Sequence, residues 1–215
     1  LQIPHLQRDI KSFMSYFMGC VFGRYNFHRV KVIPTGKELV FSKDSLFHID
    51  RDNVIPITDD NYFSEDIITL FDEFLVACYG KETLEENLDF IAQALGKKEE
   101  SSRGTIRNYF VVDFYKDHLK TYQKKPIYWL YDSGKQNGFK ALVYMHRYDE
   151  DTTGRVRVDY LHQVQKAYER ATANLQDDIV NSKDAKEITQ LQKRIEKITK
   201  QLKECKDYDE RLGHI

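Results

Sequence analysis

The side chains best suited to chemistry crowd between Lys124 and Tyr148, in KKPIYWLYDSGKQNGFKALVYMHRY. Five Lys or Arg, six aromatic rings and two glycines share this short span. Loop lysines neutralise phosphates, arginines grip a phosphate or a guanine edge, and side-chain amides suit an adenine edge. The residues this chemistry singles out for nucleic-acid contact are Lys124, Lys125, Lys135, Gln136, Asn137, Lys140, Arg147, Arg155 and Arg157. Gln136 and Asn137 sit at the tip of a turn closed by Asn137-Gly138, a strong hairpin signal. The competing reading makes Tyr128, Trp129 and Phe139 core anchors and leaves the lysines to solubilise the surface.

Other constellations are weaker. His146 with Asp149 or Asp159 has the form of a base and its orienting acid, and His162 lies close by. No nucleophile or cofactor site accompanies them, so a histidine that satisfies a backbone carbonyl is the favoured reading. The acids Asp59-Asp60, Glu65-Asp66 and Asp72-Glu73 could hold a divalent ion, but such a run more often forms a solvated face with acids set against a helix dipole. No GxG, Walker, HExxH or CxxC pattern occurs. Catalytic, cofactor-binding and metal-ligating residues are therefore expected to be absent. Cys20, Cys78 and Cys205 are odd in number and far apart, which argues for buried thiols rather than a disulfide framework.

Those residues must be positioned by a fold that reads as mostly α with a small β element (α+β). Leu6–Phe22 carries apolar residues at helical spacing up to Gly23, and Val30–Ile33 reads as a short strand before Pro34-Thr35-Gly36. Asn53–Asp60 reads as a loop around Pro56. A helix follows through Cys78 to Gly80, and another begins at Thr83 as N-cap with Glu86 completing a capping box, ending at Gly96. Thr105–Tyr122 is a further helix with Tyr109, Val112 and Leu119 turned inward. Ile127–Leu130 and Phe139–Met145 read as two strands, a β-hairpin or a crossing pair.

Two long amphipathic stretches close the chain. Leu161, Val164, Tyr168, Ala171 and Leu175 mark the first, and Ile188, Leu191, Ile195, Ile198, Leu202 and Cys205 the second, in heptad rhythm. The break at Asn181–Asp184 favours a long C-terminal antiparallel helical hairpin over one continuous, dimerising rod. Three regions result: a helical region with short strands and an acidic second half (1–100), a helix plus β-hairpin basic-aromatic block (101–154), and a helical hairpin or coiled-coil spacer (155–215).

Of the 215 residues, 41% are hydrophobic, enough for a folded core, and the net charge of −1 advertises no polyanionic partner. The local balance does. Residues 1–43 carry +5, residues 44–100 carry −11 and residues 101–170 carry +5, so a polyanion is repelled by the second block and held by its neighbours. No apolar run is long enough to cross a bilayer, and no membrane partner is expected. A cytoplasmic location fits the free thiols. The absence of an initial Met, with a helix almost at once, reads as a piece of something longer.

The block from Pro126 to Tyr148, with Asp159-Tyr160-Leu161 after it, resembles the C-terminal region of the adenine-specific DNA methyltransferases of BREX phage-defence systems, relatives of type II restriction-modification fusion enzymes. Met18–Tyr25 (MGCVFGRY), the acidic stretch Asp59–Gly80 and the connector leading to Tyr109 share the likeness. That family methylates adenine N6 with S-adenosylmethionine, in an upstream domain bearing an (N/D)PP(Y/F) motif that holds the flipped base. The motif is missing here. The resemblance therefore implies a non-catalytic portion, beyond the catalytic domain, of a parent that uses S-adenosylmethionine. Two roles are compatible with it: DNA recognition and positioning on double-stranded DNA, or a protein-interaction scaffold for the parent's catalytic domain and other defence-system proteins.

Overall fold

A computed structural model describes residues 5–25, 30–32, 39–41, 50–96, 99–123 and 125–214. The turn expected at Pro34-Thr35-Gly36 and the candidate Lys124 lie outside them. The chain is mostly helical, with small antiparallel sheets, and its contacts divide it into two units.

The first unit comprises Leu1–Asn53 and Ile67–Lys125. Helix α1 (Leu6–Val21) is followed by a ribbon of β1 (Val30–Val32) and β2 (Leu39–Phe41). Helices α2 (Ile67–Tyr79) and α3 (Leu84–Leu95) come next, then α4 (Ser102–Asn108), a π-helical turn Tyr109–Asp113 and α5 (Phe114–Thr121). The inward stripe of α1 buries Met14, Phe17 and Met18 against α2, where Phe17 meets Phe71 edge-on at 4.9 Å. Such pairs add about 1 kcal/mol beyond the area they remove from water.

Local sequence signals explain most helix ends here, with three corrections. Gly96, at φ 99°, closes α3 as expected, because a left-handed terminus suits a residue without Cβ. Thr83 does precede α3, but its hydroxyl donates back to the Tyr79 carbonyl at 3.2 Å and caps nothing. A 3-10 turn, Lys81–Thr83, has already used that backbone. Helix α4 begins before Thr105, at a cap where Ser101 Oγ accepts from the Gly104 amide at 2.9 Å. Val112 is exposed rather than inward, since the π turn adds a residue and rotates Phe110 and Phe114 into the core instead.

The second unit comprises Val54–Asp66 and Pro126–Ile215. Its sheet has the order β3 (Ile55–Pro56), β5 (Lys140–Tyr144), β4 (Tyr128–Asp132), all antiparallel. Trp129 opposes Val143 and Tyr131 opposes Ala141. The expectation of a loop around Pro56 is corrected by β3. Proline is tolerated there because β3 is an edge strand, where a missing N–H leaves no ladder bond unmade.

A short helix α6 (Thr152–Arg155) and a π-helical segment, Val156–Leu161, lead into α7 (His162–Asn181). Ser182, Lys183 and Asp184 reverse the chain into α8 (Ala185–Leu212). Contacts between His162 and Asp209 and, three residues on, between Gln165 and Cys205, four residues back, fix the two helices as an antiparallel hairpin. Asp184 caps α8 through the Lys186 amide at 2.8 Å, whereas Glu187 takes the Ser182 hydroxyl instead of reaching back to Asp184. Phe139, Val143, Val164, Tyr168, Ile198 and Cys205 form the core between sheet and hairpin, with Phe63 added by the 54–66 segment.

Candidate nucleic-acid interface

Sequence places Lys135, Gln136 and Asn137 on the β4–β5 connection, and the structure shows how that connection is held. Glu204 of α8 receives three donors from it. Ser133 Oγ donates at 2.7 Å, the Gln136 amide at 2.7 Å and the Gly138 amide at 3.1 Å. Gln201, one turn earlier on α8, donates from Nε2 to the carbonyl of Gln136 at 3.2 Å and to Asp59 Oδ2 at 2.9 Å. Arg211 donates to the Ser133 carbonyl at 3.1 Å, and the buried Tyr168 hydroxyl donates to the Gly138 carbonyl at 2.7 Å. A flexible loop would have left these backbone groups to water. Here the hairpin satisfies them, so the loop is fixed by side chains far away in sequence.

Two glycines make the approach possible. A Cβ at Gly138 would stand 2.7 Å from the Gln201 carbonyl oxygen and 3.0 Å from Cys205 Sγ. Gly134 has φ 145°, and a Cβ there would stand 2.7 Å from Glu204 Oε2. Asn137, at φ 53°, takes the left-handed turn position that asparagine tolerates better than most residues. Burial, Glu204 and Asp59 together push the Cys205 thiol up to about 12, so it stays protonated under this loop.

The candidates divide by what they touch. Lys135 and Gln136 are exposed and Asn137 half-buried, and Lys135 makes no ion pair among the described residues. Lys125 is exposed and belongs to the first unit, so it is not grouped with the loop. Lys140 is largely covered and lies 3.6 Å from Asp132. Arg155 grips both carboxylate oxygens of Asp149, at 2.7 and 2.9 Å. Arg157 Nε donates to Asp209 at 2.7 Å. Arg147 is half-buried on the short helical turn after β5 and has partners of its own. Four of the nine thus remain exposed or half-exposed without a carboxylate partner, and only Lys135, Gln136 and Asn137 share one loop.

Nor do the histidines line up as base and orienting acid. Asp149 is taken by Arg155, and the Arg155 and Thr152 hydrogen bonds hold its carboxyl below the usual range. His146 packs edge-on against Tyr144 at 5.3 Å. His162 Nε2 lies 2.7 Å from Asp209 Oδ1, the same oxygen that Arg157 uses. Burial alone would raise Asp209, yet these two partners outweigh it and hold the carboxyl low. The three form a structural clasp between α8 and the π-helical entry to α7. The acidic stretch is likewise engaged: Asp59 pairs with Lys197 and Asp60 with Arg194. Among the described residues, no cluster of His, Cys, Asp and Glu has the arrangement to hold a metal ion, and no helix is long and apolar enough to cross a membrane.

Comparison with known proteins then fixes the relationship. Over 214 residues, 98% of its length, the chain is 47% identical to the adenine-specific methyltransferase PglX of Lacticaseibacillus casei (strain Zhang). Over 98% of its length it is also 35% identical to the adenine-specific methyltransferase BrxX of Escherichia coli O9:H4 (strain HS). The chain matches a segment of adenine-specific methyltransferases. It spans 18% of the length of each of these two relatives. No family model matches the chain. The similarity runs through both units, so the clasped loop and the hairpin behind it both lie within the matching segment.

Sequence reasoning found the loop and missed its clamp. Glu204, Gln201 and Arg211 look like ordinary polar positions of an amphipathic helix, although Gln201 is almost completely buried. The one available signal was Gly134 and Gly138 on either side of a short polar loop, a pattern that permits close backbone approach.

Proposed function

We propose that this chain is the non-catalytic DNA-recognition and positioning portion of an adenine-specific DNA methyltransferase, C-terminal to the catalytic domain, and that the Ser133–Gly138 loop meets the DNA. The observation that carries this reading is a loop whose backbone is hydrogen-bonded inward to Glu204, Gln201, Arg211 and Tyr168 while Lys135 and Gln136 stay exposed. A loop fixed in advance loses little conformational freedom on binding, which leaves more of the contact energy as affinity. Lys135 supplies a phosphate contact, and Gln136 and Asn137 the amides for a base edge. Lys140, Arg155 and Arg157 would have to give up acidic partners to reach DNA, so they serve the fold first. In this reading the parent binds S-adenosylmethionine and transfers its methyl group on residues outside this segment, in the cytoplasm where the DNA lies.

A second reading, a scaffold that holds the catalytic domain or other defence-system proteins, draws support from exposed apolar side chains on the second unit. Trp129 is 40% exposed and packs edge-on to Tyr148, and Val158 is 55% exposed. A salt titration of duplex binding separates the two. The DNA reading expects affinity to fall linearly with log salt, and Lys135→Glu to cost at least fivefold and to flatten the slope by about one phosphate contact. Binding that ignores salt, or none at 50 mM salt, a test condition within the usual range for such titrations, leaves the scaffold.

A further inference from the structure

The first unit contains a groove of about 590 Å³ beside α1 and α5. Three basic side chains line it: Arg8 and Lys11 from α1 and Lys120 from α5. Ser12, Ser15 and Thr121 line its walls, with the Ser12 hydroxyl donating to the Arg8 carbonyl at 3.0 Å. Its size falls within the ordinary range for small-ligand clefts, and Tyr109, Phe114 and Tyr122 add aromatic wall to its charged and hydroxyl groups.

Lys11 is the fixed point. Its ammonium lies 2.8 Å from Asp117 and 5.5 Å from the Tyr109 ring centre, and the Tyr109 hydroxyl donates to the same Asp117 at 3.1 Å. Asp117 is the one acid among the lining residues, and it is already shared by two partners. Arg8 leans on its neighbour Asp9 with most of its side chain in solvent, and Lys120 is exposed. The groove therefore presents two exposed cations, Arg8 and Lys120, beside a Lys11 held by Asp117, with the hydroxyls of Ser15 and Thr121 on its walls. The π-helical turn Tyr109–Asp113 stands at its wall, and such turns commonly mark functional sites because they re-aim side chains.

We propose that this groove binds a nucleoside phosphate. Arg8 and Lys120 take the phosphate, since the exposed Arg8–Asp9 pair costs little to open, while Lys11 stays with Asp117, and the hydroxyls of Ser15 and Thr121 take the sugar and base polar groups. A strongly cationic cleft without hydroxyls would suit any polyanion, and an apolar one would reject phosphate; this mixture suits a phosphate joined to a polar ring system. The same chemistry is offered by a free nucleotide and by a nucleotide within a DNA strand.

The test uses the whole 215-residue chain, its Arg8→Glu/Lys120→Glu variant and the Lys135→Glu variant as a control on the other unit. Both altered positions are exposed, and far-ultraviolet dichroism checks that the helices persist. Binding of AMP and of a short single-stranded oligonucleotide is followed by calorimetry. AMP affinity reduced at least fivefold by the double variant and unchanged by Lys135→Glu supports the proposal with a free nucleotide as ligand. No AMP binding, with oligonucleotide affinity reduced as much by the double variant, supports it with a strand as the source. If the double variant changes neither affinity, the groove is not a nucleoside-phosphate site, whatever Lys135→Glu does to duplex binding.

Discussion

The Gln136 amide donates to Glu204 Oε2 at 2.7 Å, joining residues 68 positions apart in the chain. With Ser133 and Gly138 on the other oxygen, Glu204 sets the shape of the candidate loop. Replacing it with alanine takes the acceptor from two amides and a hydroxyl at once. Glu204→Ala is expected to cost about 1–3 kcal/mol, the usual penalty for an unsatisfied buried donor such as the Ser133 hydroxyl, while the exposed Gln136 amide can turn to water. Hydrogen exchange at Gln136 and Gly138 should quicken at least tenfold, while exchange in α1 stays unchanged.

Gly138→Ala attacks the same contact from the other side. Its Cβ would meet backbone, the Gln201 carbonyl at 2.7 Å, which cannot swing away as a flexible side chain can. A loss of about 1–3 kcal/mol is expected, as for other overpacked sites. Urea denaturation checks it, and Gly154→Ala, where nothing lies within 4 Å, should leave the midpoint almost unmoved.

Arg157 separates a structural arginine from a DNA-binding one. Arg157→Ala leaves Asp209 with His162 alone and should destabilise the fold by about 1–2 kcal/mol. Lys135→Ala should leave stability within about 0.5 kcal/mol, as exposed substitutions do. Thermal denaturation of the two variants in parallel reads the difference. Equal stability of both would remove Arg157 from the clasp.

His118 gives the first unit a pH dependence. Burial, with help from Arg24, lowers its pKa from 6.5 to about 4. The unfolded chain therefore binds this proton near pH 6.5 and the folded chain only near pH 4. Its contribution is complete above pH 6.5 and declines as the pH falls from 6.5 towards 4. The loss is on the order of 2 kcal/mol over that interval. Urea midpoints at pH 7.5 and 4.5 measure it, and His118→Phe should remove much of the difference. An unchanged difference in that variant would assign the acid sensitivity elsewhere.

Periodicity made the helices and the C-terminal hairpin legible, because Leu161, Val164, Tyr168 and their partners on α8 repeat at a spacing only helices bury. Gly96 marked the end of α3 through chemistry local to one turn. What depended on distant partners was hidden. Ile55-Pro56 reads as a loop until β5 is beside it, and nothing near Arg155 or Arg157 in the sequence says which carboxylates they would meet. The loop residues Lys135, Gln136 and Asn137 were visible as a group because they are contiguous, and their clamp was invisible because it is not.

The strand at Ile55-Pro56 has a consequence for how the polypeptide can be cut. Residues 54–66 complete the sheet and hairpin unit, yet the first unit resumes at Ile67 and runs to Lys125. Neither half is a continuous stretch, so a proteolytic cut after Lys125 parts the sheet and hairpin from the 54–66 segment that completes them. A ribosome must likewise deliver α8 before the segment at 54–66, made long before, can find its final neighbours Lys197, Arg194 and Gln201.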